Sequence, residues 1–194
     1  MHAPLLSHLK IALRIIRYLN NSPGTGIQIY KDKNFKLSCF TNSDWTKCLR
    51  TRKSVSGYCV FFGRSLVSWK SKKQTTVSRS SAEAEYRCMA SATYEVIWIS
   101  NLLNDLSIKN LLPVNLYSGS SSAIQIAANP VFHERTKHFE VDVHLVREKI
   151  QDGVINTIKV ASADQTADLF TKGHGTSQHL KLCNQLSLVD MFGK

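Results

Sequence analysis

Acidic side chains stand at two points where a metal-dependent hydrolase would use them, and a third lies near another such point. Glu85 lies near the predicted start of a long helix, Asp168 near the start of a late helix, and Asp44 at the end of an early strand. Carboxylate oxygens suit Mg²⁺ or Mn²⁺, and two such ions about 3.5–4 Å apart can hydrolyse a phosphodiester. Taken singly, Glu85 and Asp168 are more often solvated acids at helix starts, and Asp44 equally fits the cap of a turn.

Short apolar segments early in the chain predict one helix followed by strands. Apolar residues recur at helical spacing between Leu5 and Leu19, and a Ser-Pro-Gly sequence at 22–24 ends this helix. Four β-rich runs follow, and the last two are joined at 63–64 as a hairpin. The runs cover residues 26–30, 35–41, 57–62 and 65–69, with a turn at 32–34. We therefore expect the first part of the sheet to be a strand meander.

The rest of the chain alternates helices and strands. Ser80 and Ser81 begin the longest helix, which the apolar spacing carries to about Leu106. Helices are also predicted at 120–128, 136–151 (capped by Gly153), 164–171 and 177–186, and strands at 113–117 and 154–160. This order predicts an α/β fold, a mixed sheet with helices on its faces and functional groups at strand ends.

The chain is strongly basic, with a formal net charge of +11 and a pI near 9.6. Such a charge attracts polyanions, of which nucleic acid is the commonest, although many basic domains use charge only for solubility. Nine Lys and Arg residues and no acid lie between Lys47 and Arg79. Trp69 beside Lys70 offers a ring that could stack on a base, although a strand Trp is more often a core residue.

Composition also excludes several classes of protein. The 194 residues fit one medium domain with a short appendage, and no segment approaches the ~20 apolar residues of a membrane span. Lys10, Arg14 and Arg17 interrupt the apolar N-terminal stretch, which argues against a secretory signal. The five cysteines are widely spread without a CxxC pair, so we expect a reduced intracellular protein of the cytoplasm or nucleus.

Seven sequence blocks occur in a fixed order over nearly the whole chain. They are SDW at 43–45, RKSVSGY at 52–58, SWKSKKQ at 68–74, SSAEAEY at 80–86, AANP at 127–130, RTKH at 135–138 and ADLFTK at 167–172. Together they resemble the ribonuclease H domain of copia-type LTR retrotransposon Pol polyproteins. The resemblance implies a ribonuclease H-like fold with a five-stranded mixed sheet. It also implies a reverse transcriptase and connection remnant at 1–30, a ribonuclease H-like domain at 31–174 and a C-terminal helix and tail at 175–194.

The resemblance further implies a metal site of four carboxylates, two of which this chain lacks. Glu85 matches the second position, with Glu83 less favoured, and Asp168 matches the fourth. Asn42 stands at the first position, in TNSDW, and Gly119 at the third, in LYSGSS. A neutral amide and a missing side chain should weaken the binding of at least one metal ion. Asp44 faces the same side of a regular strand as Asn42 but lies ~6.5–7 Å further along, so it could substitute only through a bulge.

Three functions are therefore open. The first is a degenerate ribonuclease H-like domain that binds RNA/DNA hybrid or other nucleic acid with little or no cleavage and need not hold a metal ion. The second is an active hybrid endoribonuclease that uses Mg²⁺ or Mn²⁺ with Glu85, Asp168 and a displaced ligand such as Asp44. The third is a non-enzymatic remnant or interaction module. The expected partners are nucleic acid and the reverse transcriptase domain of the parent polyprotein. The expected nucleic-acid contacts are Lys70, Lys72, Lys73, Arg79, Lys137 and His138.

Overall fold

A five-stranded mixed sheet forms the centre of the computed structural model, which describes residues 3–31, 33, 35–129 and 139–192. Its strands are β2 (Leu37–Asp44), β3 (Val55–Phe62), β4 (Ser65–Lys73), β5 (Val114–Ser118) and β6 (Ile155–Lys159), and β1 (Thr25–Ile27) and β7 (Leu188–Asp190) lie outside it. The order across the sheet is β4-β3-β2-β5-β6. β2, β3 and β4 form an antiparallel meander, while β5 and β6 run parallel to β2. The predicted mixed sheet is confirmed.

Three helices pack on one face of this sheet, the last helix lies with residues 166–170 on the other, and the first helix buries no residue. The helices are α1 (Leu6–Asn20), α2 (Ser81–Asp105), α3 (Ser121–Ala128), α4 (Glu140–Gln151) and α5 (Thr176–Gln185). The longest, α2, begins where the sequence predicts, because the Ser80 side chain accepts a hydrogen bond from the Glu83 amide at 3.1 Å. The described part of α4 begins at Glu140, and the predicted start at 136 falls among residues 130–138, which lie outside the described residues.

Alternating side chains of β3 divide the core into two layers. Tyr58 and Val60 pack in the larger layer with residues of α2 and α4, whereas Cys59 and Phe61 pack in a smaller layer with Leu186 on the opposite face. Two-residue periodicity places neighbouring side chains on opposite faces of a strand, so a sheet buried on both sides needs continuous apolar sequence. β3 meets this requirement with the run YCVFF at 58–62.

The prediction that the N-terminal strand belongs to the meander is wrong. β1 does not join the large sheet but pairs antiparallel with β7, in the register Thr25 with Asp190 and Ile27 with Leu188. β7 was not predicted, because three residues are too short for a two-residue period to stand out. The C-terminal segment thus closes back on the N-terminal one.

The prediction of one continuous helix at 164–171 is also wrong. The chain forms two short 3-10 segments there, Ser162–Asp164 and Thr166–Phe170, separated by Gln165. The Gln165 side chain accepts a hydrogen bond from the Ala167 amide at 3.3 Å and donates one to the Thr41 carbonyl at 3.0 Å. Gln165 therefore ties this segment to β2 and prevents a continuous α-helix.

α1 is a separate feature of the surface. None of its residues is buried, and Leu6, Ile11 and Leu19 are each about 60% or more exposed. Within the described ranges, no helix combines the length and apolar character that a bilayer crossing requires.

Candidate functional site

The carboxyl ends of β2 and β5 bring together two of the predicted site positions. Thr41 lies opposite Ser118 in the parallel β2–β5 pair, so Asn42 and Gly119 are the next residues on neighbouring strands. Ligand sites in such sheets gather at the carboxyl ends of parallel strands, near a switch in strand order. The antiparallel β3 on one side of β2 and the parallel β5 on the other create such a switch here.

Glu85 enters this site from the first turns of α2. It is 9% exposed, its Oε2 atom is buried without a hydrogen-bond partner in the described part of the chain, and burial raises its pKa to about 7. A hydrogen bond from the Ser43 amide and the charges of Lys172 and Lys159 lower this pKa in part, while Asp168 raises it. These interactions place Glu85 beside the ends of β2 and of the 3-10 segment.

Glu83, the alternative to Glu85, has a different role. Its carboxylate accepts hydrogen bonds from the Arg79 amide at 2.8 Å and from Arg87 Nε at 3.0 Å. Arg87 also pairs with Asp142 of α4 at 3.6 Å. Glu83 therefore stabilises the start of α2 and its contact with α4.

Asp168 reaches the site because the second 3-10 segment packs tightly on β3. A Cβ atom built on Gly57 would lie 2.6 Å from Phe170 Cβ and 2.7 Å from Thr171 Cγ2, so only glycine permits this approach. Asp168 is 7% exposed, and both of its carboxylate oxygens accept hydrogen bonds from Lys172 Nζ, at 2.9 and 3.0 Å. Its negative charge is thereby paired within the protein.

Asn42 and Gly119 offer a cation no carboxylate. Asn42 Nδ2 donates a hydrogen bond to Thr171 Oγ1 at 2.5 Å, so its amide serves to connect β2 to the 3-10 segment. The Gly119 carbonyl accepts a hydrogen bond from Lys159 Nζ. A Cβ atom on Gly119 would meet only Gln165 Nε2, at 3.7 Å, so the missing side chain leaves open space.

Asp44 is engaged elsewhere. It forms an ion pair with Lys47 at 2.7 Å, and β2 pairs with β3 in unbroken register up to Asp44 opposite Val55. The structure thus shows no bulge in β2 that would bring Asp44 back towards Asn42. Its role as a substitute ligand stays a prediction.

The residues at this site offer few free oxygen ligands to a pair of divalent cations. Lys172 contacts both oxygens of Asp168 and Lys159 contacts the backbone at Gly119, whereas Glu85 Oε2 is buried without a hydrogen-bond partner in the described part of the chain. The described residues contain no group of three or more His, Cys, Asp or Glu side chains arranged to hold a metal ion. The structure therefore brings Asn42, Glu85, Gly119 and Asp168 together in one group, the carboxylate cluster. The use of this cluster as a metal centre stays a prediction.

The predicted nucleic-acid contacts lie mostly along β4 and before α2. Lys70, Lys72, Lys73 and Arg79 are all exposed, and the three lysines line a cavity of about 280 Å³ with Arg87. Trp69 is 51% exposed, so it is not a core residue. Lys137 and His138 lie outside the described residues.

Four contributors to the site were not predicted. Gln165 and Thr171 hold the 3-10 segment to β2, and Lys159 reaches Gly119 from the end of β6. Lys172 stands in a predicted block, four residues after Asp168, and that spacing was the available signal for their ion pair. Nothing in the sequence near Lys159 or Gln165 indicates their distant partners.

Comparison with known proteins gives the relationships of the chain. No protein-family model matches it. The retrovirus-related Pol polyprotein from transposon RE1 of Arabidopsis thaliana is 40% identical over 172 residues, which cover 89% of this chain and 12% of the polyprotein. The Pol polyprotein from transposon TNT 1-94 of Nicotiana tabacum is 31% identical over 183 residues, covering 94% of this chain and 14% of the polyprotein.

Superposition on a solved structure identifies the fold. LC11 ribonuclease H1, crystallised with an RNA/DNA hybrid, superposes with a TM-score of 0.52 over 70% of this chain and 93% of its own, at 11% identity. The chain is a ribonuclease H-like member of the copia-type retrotransposon Pol family. The fold predicted for this ribonuclease H-like domain is thus confirmed. The domain spans only 12–14% of the two polyproteins, so their activities do not transfer to it directly.

Proposed function

We propose that this ribonuclease H-like domain binds RNA/DNA hybrid, or a related nucleic acid, and cleaves it little or not at all. The observation that carries the proposal is the small amount of free negative charge in the carboxylate cluster. Two positions hold no carboxylate, and a third, Asp168, is neutralised by Lys172 through two hydrogen bonds. A site with so little free negative charge binds a pair of dications weakly.

Binding depends on a different part of the domain. The exposed lysines of β4 and Arg79 supply positive charge along one edge of the sheet, and Trp69 adds an exposed aromatic ring beside it. Lys and Arg side chains that neutralise phosphates provide most of the sequence-independent affinity for nucleic acid. An exposed ring can stack on a base where a strand is unpaired. Neither contribution requires the carboxylate cluster.

A cleavage and binding experiment tests the proposal. The protein is incubated with a labelled RNA/DNA hybrid and Mn²⁺, and both the bound fraction and the RNA products are measured. We expect binding in the micromolar range or tighter, weakened by salt, with no cleavage above background. Glu85→Gln is the matched control, because robust cutting that this variant abolishes would contradict the proposal.

An active nuclease is the second candidate, and one observation favours it. Glu85 Oε2 is a buried carboxylate oxygen without a partner in the described part of the chain, and such an atom is costly unless something binds it. If Glu85, Asp168 and Asp44 form a working site for Mg²⁺ or Mn²⁺, calorimetric titration of Mn²⁺ will show tight binding that Glu85→Gln removes. Weak or absent binding favours the first proposal.

The third possibility is a remnant or interaction module that binds no nucleic acid. Filter binding to a hybrid duplex at several salt concentrations separates it from the first proposal. A specific electrostatic interface gives a linear decrease of log affinity with log salt, with a slope set by the phosphates contacted. No retained hybrid at low salt would leave only the third possibility.

A further inference from the structure

Two lysines from different elements reach the carboxylate cluster. Lys172 follows the second 3-10 segment and contacts Asp168, and Lys159 ends β6 and contacts the Gly119 carbonyl. Both positive charges are close enough to Glu85 to act on its ionisation. The cluster where the family resemblance implies two metal ions therefore holds two ammonium groups.

These ammonium groups have hydrogen-bonding capacity to spare. A lysine ammonium carries three N–H donors and no acceptor. Lys172 directs two hydrogen bonds at the oxygens of Asp168, and Lys159 directs one at Gly119. Three N–H donors are left without a partner among the described contacts, and both lysines are exposed to solvent. A nearby anion can therefore bind to them without breaking an existing contact.

The two carboxylates at this site, Glu85 and Asp168, are matched by the two ammonium groups, so the surroundings carry no net negative charge that would repel an anion. Asn42 and Gly119 put no negative charge at two of the four positions, and the charge of Asp168 is balanced by Lys172. The absent Gly119 side chain leaves space in front of Gln165 Nε2, itself an N–H donor. Positive charge, free donors and open space thus occur among the same group of residues around Glu85.

We infer that Lys159 and Lys172 form a phosphate-binding site that holds a phosphodiester of the nucleic-acid backbone directly, without a divalent cation. This inference rests on the proposed function, since it specifies how the cluster takes part in hybrid binding. Lysine binds phosphate as a point charge with mobile donors, so it suits a backbone contact that does not depend on base sequence. The cluster then adds to the affinity for nucleic acid. A cluster with all four carboxylates would instead support metal-dependent chemistry.

Fluorescence anisotropy with a short labelled RNA/DNA hybrid tests this inference, with EDTA or with Mg²⁺ in the buffer. Wild type should bind equally in both buffers. The Lys159→Ala/Lys172→Ala variant should bind about tenfold more weakly, and its salt slope should fall by about one to two. The matched control is Lys10→Ala/Lys109→Ala, which removes two exposed charges on α1 and after α2 and should change affinity about twofold or less.

The outcomes separate the inference from the proposed function. If wild type binds but the lysine variant binds as tightly as the control, or if binding requires Mg²⁺, the inference is overturned and the proposed function stands. If wild type does not bind the hybrid in either buffer, both fail. Circular dichroism checks the fold of each variant. Should the double variant not fold, Lys159→Ala alone decides, because Lys159 is exposed and its recorded hydrogen bond is to one carbonyl.

Substitution by arginine adds a second readout. Lys159→Arg/Lys172→Arg keeps both charges and their donors, so it should retain most of the affinity that the alanine pair loses. A role that merely stabilises the local structure would not restore metal-independent binding in this way. Loss of hybrid affinity in a folded arginine pair, equal to the loss in the alanine pair, would count against a charge-based phosphate contact.

Discussion

Asn42 differs from an aspartate by one atom, and that atom sets the direction of one hydrogen bond. Its Nδ2 donates to Thr171 Oγ1 at 2.5 Å, and the Thr171 hydroxyl lies 3.3 Å from the Asp168 carbonyl. An aspartate in the same place would accept a hydrogen bond from that hydroxyl, which can rotate to donate. Gly119 is similarly permissive because a Cβ atom there meets nothing closer than 3.7 Å. The scaffold therefore has room for both missing carboxylates.

The Asn42→Asp/Gly119→Asp variant should gain Mn²⁺-dependent cleavage of RNA/DNA hybrid. Two added carboxylates restore the four-position set and give Lys159 and Lys172 new partners besides Gly119 and Asp168. The measurement is the rate of RNA product formation, with wild type beside it. Adding Glu85→Gln to the double variant should abolish any gain. A folded double variant that binds hybrid but cuts no faster than wild type would show that more than two ligands have decayed.

Glu85 should make the protein less stable as the pH rises. Its pKa is about 7 in the folded chain, mainly through burial, against an ordinary value of 4.5. Between these two values the folded state holds more protons than the unfolded state, so the free energy of unfolding falls with increasing pH, by up to about 3 kcal/mol. Glu85→Gln lacks this loss and should be more stable than wild type at pH 8 but similar at pH 4.5.

Urea denaturation of both proteins at several pH values measures this difference. Other titrating groups, such as Asp142, whose pKa burial also raises, act equally in both proteins and cancel in the comparison. A wild-type and a Glu85→Gln curve that stay parallel from pH 4.5 to 8 would mean that Glu85 is not held in a buried, desolvated state.

The sequence allowed some of these residues to be predicted but not others. Glu85 and Asp168 stand in blocks that a family resemblance aligns, so their convergence could be expected before the fold was known. Gln165 and Lys159 act through contacts with Thr41 and Gly119, which are 124 and 40 residues away. Contacts at such separations depend on the finished topology, and a single sequence carries no local pattern for them.

Because the second 3-10 segment packs closely on β3, the stability of the domain is unusually sensitive to substitution of Gly57. Gly57→Ala would place its Cβ about 2.6–2.7 Å from Phe170 and Thr171, so the segment that carries Asp168 must move. Overpacking of this kind costs about 1–3 kcal/mol. We expect thermal denaturation to show a clear loss of stability for Gly57→Ala. Gly173→Ala, whose Cβ would meet nothing within 4 Å, should change stability by less than about 1 kcal/mol. Equal effects would contradict the packing described.

β4 is an edge strand of the large sheet, and its lysines should both protect this edge and contact the duplex. Charged side chains on an edge strand discourage pairing with another chain. Lys70 and Lys72 are two residues apart and share one face of the strand. Lys70→Ala/Lys72→Ala should lower hybrid affinity several-fold and reduce the salt slope by about two. Filter binding at several salt concentrations checks this, and a result equal to that of Lys10→Ala/Lys109→Ala would place the duplex elsewhere.

Elements with a long apolar pattern were predictable, and short ones were not. The 25-residue α2 and the β3–β4 hairpin follow from spacing, a serine cap and Gly63, whose φ is 58°. β7 is three residues long, and the 3-10 segment at Thr166–Phe170 is five. Segments this short are set by their neighbours rather than by their own sequence, which explains the errors at both.

The proposed division at residue 30 can be examined by truncation. α1 buries no side chain, whereas β1 pairs with β7 and the Tyr30 amide donates to Ser65 Oγ at 2.9 Å. Removing residues 1–21 should therefore shift the melting temperature by less than about 3 °C, and removing residues 1–30 should lower it by about 5 °C or more. Scanning calorimetry measures both. An equal effect of the two deletions would mean that β1 is dispensable, as a boundary at residue 30 requires.

The β1–β7 ribbon determines how the molecule yields when its chain is pulled. Thr25 lies opposite Asp190, so tension applied before β1 and after β7 acts on the same end of the ribbon. Its backbone hydrogen bonds then open one after another, as in peeling, instead of resisting together in shear. A processive unfolding machine that grips either tail would detach this ribbon at low force and meet its main resistance only at the five-stranded sheet.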